Sequence, residues 1–373
     1  MILGVNGIRL IGMRTGVGRC LEAILRCMGE LDHPFSEIRV YTPKPLDDSV
    51  KLPSCAQNVV LPSPLPLGLW EQFVLPRTHG TKNLLFCPSY VVPILARCPT
   101  LLIHHGSYEG YAQAFPWWSR TKARMIYQLS ARRATLVSTV SQHSKQDIIR
   151  FYGVAPEKIH VIPEGVDTQL FRPIKVAKQL TDWKHRIFGE DVPFLLYVGK
   201  PTRRRNLPNL IKAFGLLKRE QGVPHKLLLV GTTLSGSPFE LIIRQLELES
   251  AVLGLRFMSH EELAIAYNAC EMLVYPSSYE GFGMPVLEGM ACGTPTIALN
   301  NTAFPEFAGG VVPLLQDAEV STLKSAISKL LCDQTWRERM LREGPRRAAG
   351  YDWHLITRRY IALMIRLVGQ EER

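Results

Sequence analysis

The stretch EMLVYPSSYEGFGMPVLEGMACGTPTIALN, residues 271 to 300, decides the fold. EMLVYPS opens it as a short apolar run of strand character, and TIAL closes it as a second. Between them Pro285 suits the first turn of a helix, PVLEGMAC, which Gly293 ends before Pro295 begins the next strand. SSYEGFG is the loop leaving the carboxyl end of the first strand, so Glu280 lies in a loop while Glu288 lies about one turn into the helix. The two carboxylates are seven residues apart from turn to helix and are not a helical i, i+4 pair.

The same alternation runs along the chain in both directions. RVYTP, NVVLP, NLLFCP, PTLLIHH, TLVSTVS, HVIPEG, PFLLYVG and KLLLVG are further strand-like runs separated by segments of helical period. Strands alternating with helices predict α/β architecture with parallel sheets buried on both faces. A chain of 373 residues, 46% of them hydrophobic, is too long for one ordinary core. After VIPEGVDTQLFRP comes a polar, weakly structured stretch, 174 to 191, and then a fresh strand, PFLLYVG. The boundary is placed there, giving domains at 1–172 and 190–350.

Composition narrows the setting. Eight cysteines without a C-x-x-C pair or zinc-type spacing read as buried thiols in a reducing compartment. The N-terminal MILGVNGIRLIGMRTGVGR has no basic leader before a long apolar core, and no run of about eighteen uncharged apolar residues occurs, which predicts a cytoplasmic or peripheral protein. The charge of +11 favours an anionic partner: nucleic acid, an anionic bilayer or a phosphorylated small molecule. Plain solubility accounts for it equally well.

Each half opens in a way that suits ligand binding. In RTGVGRCLEAILRCM, Gly16 and Gly18 precede a helix whose Leu21, Ile24, Leu25 and Met28 repeat at helical spacing. In the second half the strand PFLLYVG ends at Gly199, and Lys200, Arg203, Arg204 and Arg205 follow it, at the edge where open α/β sheets bind ligands. Asn206 and Pro208 suit the cap and first turn of the next helix.

A sugar joined to a nucleoside by a diphosphate would use all of these groups. The N–H groups of Gly281, Phe282, Gly283 and Met284, with Pro285 opening the helix, suit a diphosphate at a helix N-terminus. Glu280 and Glu288 would each accept hydrogen bonds from vicinal hydroxyls, one on a ribose and one on a hexose. A glycosidase acid and nucleophile pair is the competing chemical reading, supported by spacing alone, and two surface glutamates are the plain one.

At this point the residues resemble a family. EGFGMPVLEGMACGTPTIA resembles the glutamate, seven residues, glutamate signature of the retaining GT-B glycosyltransferases called group 1, or family 4. VSTVSQHSKQDIIRFYGVAPEKIHVIPEGVD, 137 to 167, is similar to that family's domain-closing segment, and YVGKPTRRRNLPNLIKAF to its phosphate-binding loop. TGVGRCLEAIL is similar to its N-terminal glycine loop, and YDWHLITRRYIAL resembles its final helix, which crosses back to the first domain at 353–373. The resemblance implies two Rossmann-like β/α/β domains facing across a cleft. It also implies retaining transfer of a hexosyl group from a nucleotide-sugar, with GDP-mannose favoured, to a glycan or lipid-linked acceptor in polysaccharide or glycoconjugate assembly.

By position the resemblance gives Glu288 to the donor ribose and Glu280 to the donor sugar, and puts Arg204 and Arg205 where an arginine and a lysine usually neutralise the diphosphate; the second cation beside Arg205 is Lys200, Arg203 or Arg204. It gives His104, in LLIHHGSYEG, a sugar-facing role, with a capping or core histidine as the alternative; His105 replaces the usual aspartate. Glu306 matches a further family glutamate that orders the loop beneath the donor, or is a surface residue. No Asp-x-Asp clamp is present, so the expectation is no metal and no cofactor, with the leaving group stabilised by protein cations and N–H groups. No carboxylate stands where a double-displacement nucleophile would be obvious, which favours front-face substitution.

AFPWWSRTKARMIYQLSARRATL combines Phe115, Trp117, Trp118 and Tyr127 with five cations, and Trp118, Met125, Ile126 and Leu129 share one side of a helix. Either that side docks on the sheet, or it meets anionic lipid headgroups as a peripheral membrane contact. The rival functions are a sugar-nucleotide epimerase or phosphorylase of the same fold, and a basic nucleic-acid-binding protein. The last lacks any recognition module, so no nucleic-acid partner is expected.

Overall fold

The computed structural model describes residues 1–373 except 13, 15, 79–82, 112–116 and 370–373, and residues 117 and 119 by their backbone only. Phe115 and the Trp117 side chain therefore lie outside the described residues. The chain divides into two compact units, Met1–Gly165 with Trp353–Arg373, and Val166–Asp352.

The first unit runs β1 (Ile2–Asn6), α1 (Gly16–Met28), β2 (Glu37–Thr42), β3 (Ala56–Val60), α2 (Leu67–Phe73), β4 (Leu84–Cys87), β5 (Thr100–His104), α3 (Trp117–Arg133), β6 (Leu136–Thr139), α4 (Gln142–Tyr152) and β7 (Ile159–Val161). Its seven strands are ordered β3-β2-β1-β4-β5-β6-β7, every neighbouring pair parallel. The period of two along each strand feeds two cores. Leu84 and Phe86 join one apolar cluster with α1, while Leu85 and Cys87 join the other with Trp70 of α2 and Tyr152 of α4.

The second unit runs α5 (Ala177–Phe188), β8 (Phe194–Val198), α6 (Leu207–Gln221), β9 (Lys226–Val230), α7 (Pro238–Gln245), β10 (Val252–Leu255), α8 (His260–Ala269), β11 (Met272–Tyr275), α9 (Met284–Cys292), β12 (Thr296–Leu299), α10 (Phe304–Phe307), β13 (Leu314–Leu315), α11 (Val320–Leu331) and α12 (Gln334–Ala348). Its strand order, β10-β9-β8-β11-β12-β13, is again parallel throughout and repeats the doubly wound order of the first unit. In each sheet the winding reverses once, between β1 and β4 and between β8 and β11. Backbone crossovers diverge at such a point and leave a crevice at the carboxyl ends of the strands.

The last helix, α13 (Trp353–Gly369), belongs to the first unit. Trp353, Ile356, Tyr360, Ile361, Met364 and Leu367 enter the same cluster as Leu21, Ile24, Leu25 and Met28 of α1. At about 1.5–3 kcal/mol for each fully buried large side chain, that face contributes on the order of 10 kcal/mol, the size of a whole domain's net stability. The helix is core, not an appendage.

Three expectations are corrected. The stretch 174–191 is not weakly structured: Ala177–Phe188 is helical and closed by Gly189 in the left-handed conformation. Leu180, Trp183 and Ile187 recur at helical spacing amid polar residues, and buried Trp183 packs 5.8 Å from Phe194. The first unit ends at Gly165 and not at 172, because Val166 donates to the Tyr351 carbonyl at 2.8 Å and Phe171 packs on Tyr267, tying this segment to the second unit. The ten runs read as strands all are strands, but β1, β10 and β13 go unread. β1 is ILGVN and β10 is VLGL, each broken by a glycine, and β13 has two residues.

Candidate functional site

The carboxyl ends of β8 and β11 flank the reversal in the second sheet, and the charged groups gather there. Gly199 ends β8 with φ +141° and donates to the Val230 carbonyl at 2.7 Å. A Cβ at Gly199 would stand 1.9 Å from Nη1 of Arg205, so the bare backbone lets that guanidinium fold back over the strand end. A short 3-10 turn, Arg203–Arg205, then turns the chain into α6. Asn206 sits at the cap position but does not cap; its Nδ2 donates to the Pro276 carbonyl at 2.9 Å and so fastens this loop to the end of β11.

Glu280 is the centre of the cluster. Its Oε1 accepts from the hydroxyls of Tyr275 at 2.8 Å and Ser277 at 3.0 Å, from Nε of Arg205 at 3.1 Å, and from Nη1 of Arg204. These contacts all fall on Oε1, the anchored oxygen of a carboxylate whose side chain is only 6% exposed. Burial pushes the carboxyl up, but the guanidiniums of Arg205 and then Arg204 outweigh it and hold the group below the usual carboxylate range.

The two arginines are held in different ways. Arg204 also bonds Ser277 Oγ and the Tyr279 carbonyl, so its guanidinium is built into the loop that carries Glu280. Arg205 uses its planar fork: Nε holds Glu280, Nη1 reaches the Lys200 carbonyl at 3.3 Å, and the group lies 5.5 Å above the Tyr275 ring. A lysine could not make these contacts together. Lys200 and Arg203 are exposed and bond no side chain among the described residues.

After Glu280 the chain passes through buried Gly281, Phe282 and Gly283 into α9. Gly283 has φ +117°, and a Cβ there would meet Phe304 at 2.6 Å. Phe282 does not face a ligand with its ring, which stacks on Phe307 at 4.5 Å. Met284 opens α9 with Pro285 in its first turn. The N–H groups at such a helix start have no acceptor within the helix. Glu288 is buried farther along α9, and its Oε2 accepts from Tyr267 at 2.9 Å. Glu306 is exposed on α10.

The other assigned residues belong to the first unit. Gly16 is the first residue of α1 and Gly18 lies inside it, not in a loop before it. A Cβ on Gly18 would stand 2.5 Å from the Arg9 carbonyl, so that glycine serves close packing. His104 ends β5 fully buried, with Tyr90 edge-on at 4.9 Å. Tyr152 donates its proton to Glu109, so the 3.2 Å contact between Tyr152 and His104 has Nε2 as donor. That leaves Nδ1 a buried acceptor with no partner among the described residues. The surroundings are those of a core histidine. His105, where the aspartate is missing, meets a carboxylate from elsewhere: Nδ1 lies 3.0 Å from Glu164 and Nε2 2.9 Å from the Pro88 carbonyl. Tyr275, Ser277 and Tyr267, which bond the candidate carboxylates of the second unit, are residues that sequence reading missed, as is Glu164 beside His105 in the first. Tyr275, a tyrosine closing an aliphatic strand, is the one signal that was available.

Burial, and after it His105, push the His104 imidazole down to about 3 from 6.5. Between those values the unfolded chain binds a proton that the folded chain refuses, so this group's contribution is lost as pH falls, by about 1.4 kcal/mol per pH unit. Stability measured by urea denaturation from pH 6.5 to about 4.5 should fall more steeply in the parent than in His104→Phe; equal slopes would refute the assignment.

Two doubly wound units of one strand order, the second with cations and a glutamate at its reversal point, define a GT-B fold. The crystal structure of Anabaena Alr3699/HepE in complex with UDP and glucose has this fold, with a TM-score of 0.78 at 19% identity over 97% of this chain and 98% of that one. Residues 179–347 match the family model "Glycosyl transferases group 1" and residues 14–170 match "Glycosyltransferase Family 4", so that together they span most of the sequence. The chain belongs to the group 1 glycosyltransferases. The MMP alpha-(1->4)-mannosyltransferase of Mycolicibacterium hassiacum is 30% identical over 266 residues, 68% of this chain and 61% of that protein. The O-antigen chain mannosyltransferase B of Escherichia coli is 29% identical over 228 residues, 60% of this chain and 58% of that protein. The matched region thus spans about three-fifths of these curated relatives.

Proposed function

We propose that the protein is a retaining glycosyltransferase that moves a hexosyl group, mannose from GDP-mannose in the first instance, to a glycan or lipid-linked acceptor in polysaccharide or glycoconjugate assembly. The observation that carries this reading is the anchoring of Glu280 by Arg204, Arg205, Tyr275 and Ser277 at the reversal point of the second sheet. An ionised carboxylate held at a strand end by two guanidiniums and two hydroxyls is an acceptor for sugar hydroxyls. Lys200, Arg205 and the N-terminal N–H groups of α9 offer positive charge for a diphosphate, and Glu288 is the acceptor for a ribose diol.

In this reading Arg204 holds Glu280, and of the three candidates for the second diphosphate cation Lys200 takes the role beside Arg205. The developing charge on the leaving diphosphate is met by cations and N–H groups, without a metal, and the departing phosphate oxygen assists acceptor deprotonation on the same face. A sugar-facing role for His104 acts through Nδ1 and requires that atom to be uncovered. The mannosyltransferase names of the two relatives support mannose as the sugar; the UDP and glucose in the Anabaena structure support a nucleotide-sugar donor.

The test is a thermal-shift screen of GDP-, UDP-, ADP- and dTDP-sugars in excess chelator. A donor at about a hundred times its Kd adds about 2.7 kcal/mol, which raises Tm by roughly 5–10 °C for a unit of this size. GDP-mannose should give the largest shift without metal, and mannose should move only when acceptor is present. No shift with any nucleotide-sugar would overturn the proposal. An absolute manganese requirement would overturn its metal-free part, and conversion of the donor without acceptor would indicate an epimerase.

A further inference from the structure

The sequence offers two fates for the apolar side of α3, and the structure settles which side faces the core. Ser130 and Ala131 of α3, with Ala134 just beyond it, are buried, whereas Trp118, Met125 and Leu129, spaced seven and four residues apart on one face, are 63%, 65% and 48% exposed. The arginines make the attachments instead. Arg132 donates to the Tyr152 carbonyl at 2.7 Å, and Arg133 to the carbonyls of Ile94 at 3.0 Å and Ala96 at 2.7 Å. Large apolar side chains and the cations Lys122, Arg124, Arg132 and Arg133 are thus exposed together on this helix, while Ser130 and Ala131 face the core.

The tract extends beyond α3. Gln72 of α2 bonds the 92–97 loop at both ends of its amide, to Val92 O at 3.2 Å and from Ile94 N at 3.0 Å. Arg133 therefore joins α3 to the same loop that Gln72 joins to α2. Along this strip α2 exposes Leu69 and Phe73, and the loop exposes Leu95 at 60%. Residues 63–78, 92–99 and 117–133 together carry seven arginines and lysines and one acid, Glu71. Glu71 is buried and accepts from Asn6 at 2.7 Å, so the strip shows no exposed carboxylate.

We infer that α2, the 92–97 loop and α3 form one docking surface for an anionic lipid bilayer. An interfacial apolar tract, including a tryptophan, with uncompensated cations around it matches acyl boundary and headgroup charge together. A nucleic acid would use the cations and leave the apolar tract in water, and the centre of a protein interface is depleted in charge. Among the described residues no helix is long and apolar enough to cross a membrane, so the contact lies in the interfacial plane.

Flotation with vesicles of phosphatidylglycerol and phosphatidylcholine in equal parts tests this, against phosphatidylcholine alone. The protein should float with the anionic vesicles only and be released at least tenfold when salt rises from about 0.1 to 0.5 M. Trp118→Ser/Met125→Ser/Leu129→Ser should lower binding at least tenfold with an unchanged Tm, and Leu69→Ser/Phe73→Ser should weaken it independently. Absence of vesicle binding at low salt, or binding untouched by both variants, overturns the inference. So does a dimer in sedimentation that the triple variant dissociates while no vesicles are bound. No sugar enters this assay, so its outcome is separate from that of the donor screen.

Discussion

Glu280→Ala is expected to lower kcat/KM for transfer at least a hundredfold and to destabilise the second unit by about 3 kcal/mol. The side chains of Arg204 and Arg205 are only 17% and 14% exposed, and removing the carboxylate leaves both guanidiniums without their shared counter-ion. Breaking a buried pair from one side is costly because the remaining charge is already desolvated. Glu280→Gln separates the two effects: the amide oxygen still accepts from Tyr275 and Ser277, but the charge is gone. Because the folded carboxyl is held below its unfolded value of 4.5, the contribution is complete above that pH and is lost as pH falls through the folded pKa. Denaturant titrations of parent and Glu280→Ala should therefore converge in acid. An alanine variant with parental stability and parental rate would remove Glu280 from the site.

Glu288→Ala is expected to abolish the donor-induced thermal shift while leaving the unliganded protein folded. Its buried Oε2 accepts from Tyr267, so the substitution orphans one hydroxyl, worth about 1–3 kcal/mol. Tyr267→Phe is the control, since it removes the same hydrogen bond and keeps the carboxylate. If Glu288 holds the ribose, Tyr267→Phe retains most of the shift. Equal losses in both variants would make the carboxylate a structural partner of Tyr267 and nothing more.

What sequence reading could and could not reach follows from the physics of each signal. The doubly wound sheets were legible because buried parallel strands are continuous apolar runs, and the turn-and-helix chemistry of Gly283, Pro285 and Gly293 is local. β1 was not legible: its strand status comes from burial between β2 and β4, and ILGVN carries no flanking turn or period of its own. Glu280, Arg204 and Arg205 were legible as charged residues at strand ends, but their mutual pairing was not, because it spans 75 residues and depends on β8 lying beside β11. Glu164 could not be connected with His105 for the same reason, being 59 residues away. In α3 the period was visible and its orientation was not; the anchoring bonds go to carbonyls, which sequence does not display.

The return of α13 to the first unit also orders events during synthesis. Residues 1–165 leave the ribosome without the partner for Leu21, Ile24 and Leu25, and that apolar face stays open until α13 has also been made. The second unit, contiguous from Val166 to Asp352, contains everything it needs to close earlier. The half translated first is thus the half that finishes last, and its waiting surface is where chaperone capture or misassembly would concentrate.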